Sequence, residues 1–177
     1  KKKIAAIVIS IIITISGIIP LTIGIIKEEN NQMENLPVLD QFNISEEDVG
    51  KEFRGTLEAI PFPTEQTDKG SLYLMCYAVN ENDENSEFIF LGFDVPDSSE
   101  LAFNTALNKD VFDDSDFCGT LLKCDAEMTE KFNKTIADYF HNEVAPVYEK
   151  LEMNISEEQL NEEIKASQNA ISPYYVK

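Results

Sequence analysis

The sequence predicts an α+β protein with an N-terminal transmembrane helix, followed by a small antiparallel sheet or a partly open barrel with C-terminal helices. Three observations lead to this prediction. An uncharged apolar run follows the lysines at the start of the chain. Strand-like segments separated by Gly, Pro and Asn occupy the middle of the chain. Apolar residues at helical spacing dominate the chain after residue 125.

Residues 1–26 are predicted to form a transmembrane signal anchor. Three lysines precede residues 4–26, which contain no charged side chain. At about 1.5 Å per residue this run is about 35 Å long, which is enough to cross a hydrocarbon core of about 30 Å. A cleaved secretory signal is the alternative. Its apolar region is typically only about 7–15 residues long, and residues 22–24 match a cleavage site poorly.

The lysines also predict the orientation of the chain in the cell membrane. Because an excess of lysine lies on the cytoplasmic side, the N-terminus is predicted to be cytoplasmic and the single-pass chain to continue outside. Residues 27–42, which are polar and contain Pro37, are predicted to be a tether. Residues 43–177 are then an acidic extracytoplasmic α+β domain.

Charge restricts the partners of this domain. The whole chain carries −19, and residues 1–27 contain four lysines and no acid, so residues 28–177 carry −23. Such a surface repels nucleic-acid phosphates and anionic lipid headgroups, which excludes nucleic acid as a partner. It suits cationic partners or divalent ions, and the simpler interpretation is a solvated acidic surface.

Alternation of apolar residues predicts four strands and leaves a fifth open. Ser71–Val79 is apolar on both faces and is therefore predicted to be a central strand. The other predicted strands are Lys51–Ile60 with a bend at Gly55, Glu87–Val95 with Phe90 and Leu91 on opposite faces, Phe117–Asp125, and an edge strand at Ile171–Val176, where Pro173 would be tolerated.

Helical periodicity predicts four helices. One begins after Pro96 and presents Leu101, Ala102, Thr105 and Ala106. The others are Ala126–Asn142 with an apolar stripe at Met128, Phe132, Ile136 and Phe140, then Val144–Met153, and a last helix with Leu160, Ile164, Ser167 and Ile171. His141, the only histidine, lies about 180° from Phe132 around its helix and is predicted to be exposed.

Few residues point to chemistry, and the sequence predicts no catalytic residues and no cofactor. Cys76, Cys118 and Cys124 form no CxxC motif and are interpreted as small core residues, with one disulfide left open. Two acidic loops could hold calcium, although neither has the spacing of an EF-hand. Their candidate ligands are Asn80, Asn82, Asp83, Glu84 and Glu87 in one loop, and Asp110, Asp113, Asp114 and Asp116 in the other.

Two resemblances add expectations. Glu47–Leu57 (EDVGKEFRGTL) resembles the first strand of OB-fold domains, and the order of three strands, helix and strand is similar to that fold. This resemblance implies an OB-like barrel that binds oligonucleotides or oligosaccharides. The lysine-flanked anchor and Gly119–Glu127 (GTLLKCDAE), followed by a helix with Tyr139 and Phe140, resemble uncharacterised membrane-anchored proteins of low-GC Gram-positive bacteria. That family implies no known activity.

Three functional hypotheses follow from these observations. The first is a non-enzymatic, membrane-tethered extracytoplasmic module that contacts envelope proteins or wall components. The second is a ligand- or calcium-binding OB-like domain at the cell surface. The third is an enzyme, for which no catalytic motif is present in the sequence. The oligomeric state is not predicted.

Overall fold

A computed structural model describes residues 35–57, 59–67, 69–78, 88–107, 117–153 and 155–177, which form six strands and four α-helices. The strands are β1 (Glu52–Gly55), β2 (Ile60–Thr67), β3 (Gly70–Ala78), β4 (Phe88–Pro96), β5 (Phe117–Lys123) and β6 (Ile171–Val176). The helices are α1 (Asp97–Leu107), α2 (Ala126–Tyr139), α3 (Ala145–Lys150) and α4 (Glu157–Asn169). A single 3₁₀ turn, Glu46–Asp48, precedes β1.

The strands form one mixed sheet in the order β1-β5-β6-β4-β3-β2. This confirms the α+β class and the C-terminal helices. Of the two predicted arrangements, an antiparallel sheet or a partly open barrel, the first is wrong for one strand pair, because β6 runs parallel to β4. The chain leaves β4, passes through α1, β5 and the three later helices, and only then returns to lie beside β4. Such a long crossover permits parallel pairing, whereas a short hairpin imposes antiparallel pairing.

The sequence predicted that the last strand lies at an edge of the sheet. This prediction is wrong, because the strand is central. β6 lies between β5 and β4, and its register with β4 shifts between the pairs Phe90–Ile171 and Gly92–Tyr175. Pro173 falls within this irregularity, and its carbonyl accepts a hydrogen bond from the Cys124 amide at 2.9 Å. A proline is therefore accommodated in a central strand, because the bulge demands no ladder N–H from it.

The predicted first strand is divided into two. β1 ends at Gly55, and β2 begins at Ile60 and continues beyond the predicted boundary. The sequence did not predict β2 as a separate strand, because it contains Pro61 and Pro63 and proline is disfavoured in central strands. β2 pairs only with β3 among the described strands, so proline is tolerated there, and a bulge follows Pro63. The central position predicted for Ser71–Val79 is confirmed by β3, which is buried on both faces.

Apolar side chains form two clusters on the two sides of the sheet. The sheet cluster consists of Leu39, Phe53, Leu57, Tyr73, Met75, Tyr77, Leu91, Phe93, Val95, Phe103, Phe117, Leu121, Tyr174 and Val176. The helix cluster consists of Phe62, Leu72, Leu74, Cys76, Phe90, Phe132, Ile136, Phe140, Val144, Tyr148, Leu160 and Ile164. The predicted opposite faces of Phe90 and Leu91 are confirmed, because the two residues belong to different clusters.

Helix α2 presents the predicted stripe to the helix cluster. Phe132 is fully buried, Ile136 and Phe140 are almost fully buried, and Met128 is partly buried. His141 is exposed, as predicted. It lies in the single π-helical turn, Phe140–Val144, that joins α2 to α3 without the predicted break.

Helix α1 has a different phase from the predicted one. Leu101 is 74% exposed, and Phe103 is the side chain that α1 buries in the sheet cluster. Phe103 lies 5.0 Å from the ring of Tyr73 and 5.8 Å from that of Phe93, measured between centroids. The aromatic contacts with the sheet therefore decide which side of this weakly amphipathic helix faces inward.

The N-terminal part of the described chain packs onto β1. Residues 36–39, called the strap below, pair in parallel with Arg54 and belong to the segment predicted as a tether. Residues 1–34, which include the predicted anchor, lie outside the described residues. Within the described ranges, no helix combines the length and the apolar character needed to span a bilayer.

Candidate functional site

The sequence-predicted calcium ligands cannot be located in the fold. Both acidic loops, 80–87 and 110–116, lie outside the described residues. Among the residues that are described, no three His, Cys, Asp or Glu side chains are grouped so that they could hold a metal ion. The described part of the chain has two surface grooves instead.

A shallow groove opens where β2, β3 and β4 meet the start of α2. It has a volume of about 210 Å³ and is called the acidic groove. It is lined by Glu65, Gly70, Leu72, Asp94, Asp125, Glu127, Met128 and Lys131. Asp125 lines the groove because it is the N-cap residue of α2. Its carboxylate accepts a hydrogen bond from the Met128 amide at 2.8 Å.

Lysines neutralise much of the charge in this groove. The Lys131 ammonium lies 2.7 Å from a Glu65 carboxylate oxygen and 3.0 Å from one of Glu127. Hydrogen bonds to Glu65 and then Glu127 hold the pKa of Lys131 well above its usual value. The Lys177 ammonium likewise lies 3.0 Å from Asp94, which raises its pKa. Two lysines of the chain itself therefore neutralise part of the negative charge of the groove, and only the remaining carboxylate charge is available to a ligand.

A second groove of similar volume, also about 210 Å³, lies on the other side of the β2–β3 hairpin and shares Glu65 and Leu72 with the first. Ser71 donates a hydrogen bond to Glu100 at 2.6 Å, and Tyr73 donates one to Asn104 at 3.2 Å. Both bonds attach α1 to β3. The polar groups of this groove thus hold two elements together and do not converge on a point where a substrate atom could react.

The cysteines differ in exposure, and the prediction of three core positions is wrong for Cys118. Cys118 is exposed, Cys124 is half-buried and Cys76 is buried, and none of these three described cysteines is in a disulfide. Burial raises the pKa of Cys76 to about 12. Burial and then the nearby Asp125 charge raise the pKa of Cys124 to about 11. Both thiols therefore stay protonated at neutral pH and are poor nucleophiles.

A polar cluster fastens the 3₁₀ turn to the sheet. The Glu46 carboxylate accepts hydrogen bonds from the Lys123 ammonium at 2.6 Å and from the Tyr174 hydroxyl at 3.0 Å. Both bonds lower the pKa of Glu46, and the bond from Lys123 has the larger effect. Glu46 and Lys123 are exposed, so the pair is a surface attachment and lacks the enclosure of a reaction site.

Sequence reasoning did not find the acidic groove, and no local signal could have revealed it. Its charged residues come from β2, β4 and the start of α2, up to 66 positions apart in the chain. Only the spacing of Glu127 and Lys131, four residues apart on one helix, was visible beforehand. The remaining contacts depend on how α2 lies across the sheet.

Comparison of the chain with protein-family models, curated proteins and solved structures found no significant match.

Proposed function

We propose that this protein is a non-enzymatic, membrane-tethered interaction module that is held outside the cytoplasm. The observation that carries the proposal is the charge distribution. An uncharged run that follows three lysines precedes a domain region of −23. Because lysines favour the cytoplasmic side, they support an external domain. The expected contacts are envelope proteins or wall components with a cationic surface.

The strand connectivity supports an OB-like barrel as the architecture of the module. β1 and β2 occupy the two ends of the strand order, yet only residues 56–59 separate them in the chain. A single bent strand, broken at this point, would pair with β5 and with β3 and so close the sheet. Helix α1 between β4 and β5, and the parallel pairing of β4 with β6, agree with the resemblance noted in the sequence.

The same comparison argues against the ligands that an OB fold would suggest. OB folds bind oligonucleotides and oligosaccharides on the face of their second and third strands, which correspond here to β3 and β4. In this chain that face carries Leu72, Leu74 and Phe90, which are buried in the helix cluster. The three helices inserted between β5 and β6 thus occupy the usual binding face. Together with the charge, this favours protein contacts through other surfaces.

A reporter fusion tests the proposed topology. An enzyme that is active only outside the cytoplasm, fused after Lys177, should be active in cells. A reporter that is active only in the cytoplasm should be silent at the same position. Replacing the first three lysines with Glu should disturb insertion, because the cytoplasmic lysine bias is lost. The reverse pattern for the two reporters would overturn the orientation.

Calcium or another cationic ligand is the second candidate, and the acidic groove together with the acidic loops favours it. The test is a melting experiment at matched ionic strength. A solvated acidic surface should respond alike to sodium and calcium, because both only screen self-repulsion. A calcium-specific rise of the melting temperature, absent in Asp113→Asn/Asp114→Asn or Asp83→Asn/Glu84→Gln variants, would favour the second candidate.

A further inference from the structure

The two strands at the ends of the strand order, β1 and β2, are protected in different ways. The outer edge of an end strand presents N–H and C=O groups to which a strand of another chain can add. The strap occupies this edge of β1, where the Leu39 amide donates to the Arg54 carbonyl at 2.8 Å and the Arg54 amide donates to the Pro37 carbonyl at 3.0 Å. Leu39 is buried and Leu36 is half-buried. The edge of β1 is therefore paired within the chain.

The outer edge of β2 contains two prolines. Among the described strands β2 pairs only with β3, and the register is unbroken over residues 60–63, with Pro61 opposite Met75 and Pro63 opposite Tyr73. In an antiparallel pair, every second residue directs its N–H to the partner strand. Proline has no N–H, so Ile60 and the residue between the prolines supply the ladder bonds. The nitrogens of Pro61 and Pro63 therefore lie on the outer edge.

This outer edge is a poor template for another strand. Where residues 60–63 would direct an N–H outward, they present a pyrrolidine ring instead. The side chains of Pro61 and Pro63 are exposed, which places them at the surface of the domain. A bulge follows between Pro63 and Glu65. Because a bulge bends and twists its strand, the rest of β2 does not continue the line of this edge.

The residues around the prolines show what the edge is protected from. Residues 59–64 have the sequence AIPFPT and carry no charge. Ile60, Phe62 and Thr64 are residue types that favour strands, and β3 beside them is buried on both faces. An uncharged segment of this kind is typical of strands that pair with copies of themselves, and proline interrupts such segments.

We propose that Pro61 and Pro63 close the outer edge of β2 to strand addition and so prevent this chain from pairing with a second copy of itself. Two copies of β2 would pair antiparallel around a two-fold axis, with residue 61 of each copy opposite residue 63 of the other. Such a pair needs an N–H at both positions. With the strap on β1 and the prolines on β2, a partner of the described domain has to recognise side chains and cannot extend the sheet at either end strand.

The double variant Pro61→Thr/Pro63→Thr tests the proposal. Threonine restores the N–H, favours strands and adds little apolar surface. Self-association of the full-length chain is measured by sedimentation in detergent micelles over a range of protein concentrations. Sodium chloride at about 1 M reduces the screening length to about 3 Å, so that repulsion between acidic domains does not mask pairing. The variant should self-associate at least about tenfold more tightly than the wild type, because each copy regains its edge donors.

Amide hydrogen exchange shows whether the edge itself forms the contact. The amides of the two introduced threonines should be protected at high protein concentration and should exchange freely after dilution to the monomer. Free exchange at every concentration would show that the edge does not pair even with its donors restored. Protection in the monomer would show that the chain itself covers this edge. Either result would overturn the proposal.

Pro96→Thr is the matched control. Pro96 is an exposed proline at the end of β4, which has a strand on each side, so its replacement should leave self-association as weak as in the wild type. If the double variant melts without cooperativity, the single variants Pro61→Thr and Pro63→Thr take its place. Cooperatively folded edge variants that associate no more tightly than the wild type or than Pro96→Thr would contradict the role of the prolines.

Discussion

The sheet cluster and the helix cluster lie on opposite sides of the same strands but are assembled differently. The helix cluster takes seven of its twelve buried side chains from α2, the π turn, α3 and α4, which follow one another along the chain. The sheet cluster combines five strands with single residues from the strap, from the connection between β1 and β2, and from α1. One core is thus built largely from neighbouring helical turns and the other almost entirely from pairings between distant segments.

The first core is therefore specified mainly by residues that are close together in the sequence, and the second mainly by contacts between residues that are far apart. A helix places residues three and four apart on one face, so its contribution to a core is visible in the sequence. A strand can show which residues share a face, but it does not show which strand lies beside it. The helix cluster should therefore depend on a few large side chains of α2, whereas the sheet cluster should depend on the register of its strands.

Phe132→Ala is expected to have the largest effect and tests the dependence of the helix cluster on α2. Phe132 is 0% exposed, and loss of a fully buried ring typically costs about 3–5 kcal/mol. The measurement is the free energy of unfolding from urea melts. His141→Ala is the control at an exposed position and should change stability by less than about 0.5 kcal/mol. Equal losses would contradict the orientation of this helical segment.

Gly92→Ala tests how tightly the helix cluster is joined to the sheet. A Cβ at Gly92 would lie 2.3 Å from Cζ of Phe132 and 3.0 Å from Cβ of Tyr175. The buried ring cannot move away easily, so we expect a loss of about 1–3 kcal/mol through overpacking. Phe132→Leu should partly rescue Gly92→Ala in a double-mutant cycle. Additive losses in urea melts would show that the two positions do not press on each other.

The pH dependence of stability tests the burial of Cys76 in the helix cluster. Its folded pKa is raised to about 12 by burial, above the unfolded value near 9. The thiol therefore contributes full stability below pH 9, and this contribution falls as pH rises from 9 towards 12, because only the unfolded state releases the proton. Between pH 9 and 10.5 the wild type should lose about 1–2 kcal/mol more than Cys76→Ala.

Reaction with a thiol reagent provides the control for this pH prediction. At pH 8 one thiol per folded chain, the exposed Cys118, should react rapidly. Cys76 should react only as the domain unfolds. Parallel pH profiles of the wild type and Cys76→Ala, or rapid reaction of Cys76 in the folded chain, would contradict its burial.

Replacing one tyrosine in each cluster with phenylalanine should have the smallest effects on stability, and the two effects should have opposite signs. The Tyr148 hydroxyl in the helix cluster is buried without a hydrogen-bond partner among the described residues. The Tyr77 hydroxyl in the sheet cluster donates to the Thr56 carbonyl at 3.3 Å. Tyr148→Phe should therefore stabilise the domain by about 1 kcal/mol, and Tyr77→Phe should destabilise it by a similar amount. Thermal melts of the two variants should shift in opposite directions.

The sequence by itself determined the features that follow from local periodicity. These are the α+β class, the stripe of α2 with Phe132 buried and His141 exposed, the two faces of β4, and the central position of β3. The S/T-x-x-E/Q pattern of a capping box is also present at the start of α4, where Ser156 and Gln159 form both bonds of the box, at 2.9 and 3.2 Å. Each of these features depends on residues fewer than ten positions apart.

Only the tertiary structure decided how distant segments pair. The parallel contact of β6 with β4, the edge position that admits Pro61 and Pro63 into β2, and the strap on Arg54 all depend on long-range placement. The same holds for the acidic groove and for the exposure of Cys118. Strand pairing is satisfied by any backbone with free N–H and C=O groups, so it leaves little trace in side-chain identity. The choice among partners is made by the packing of the whole sheet.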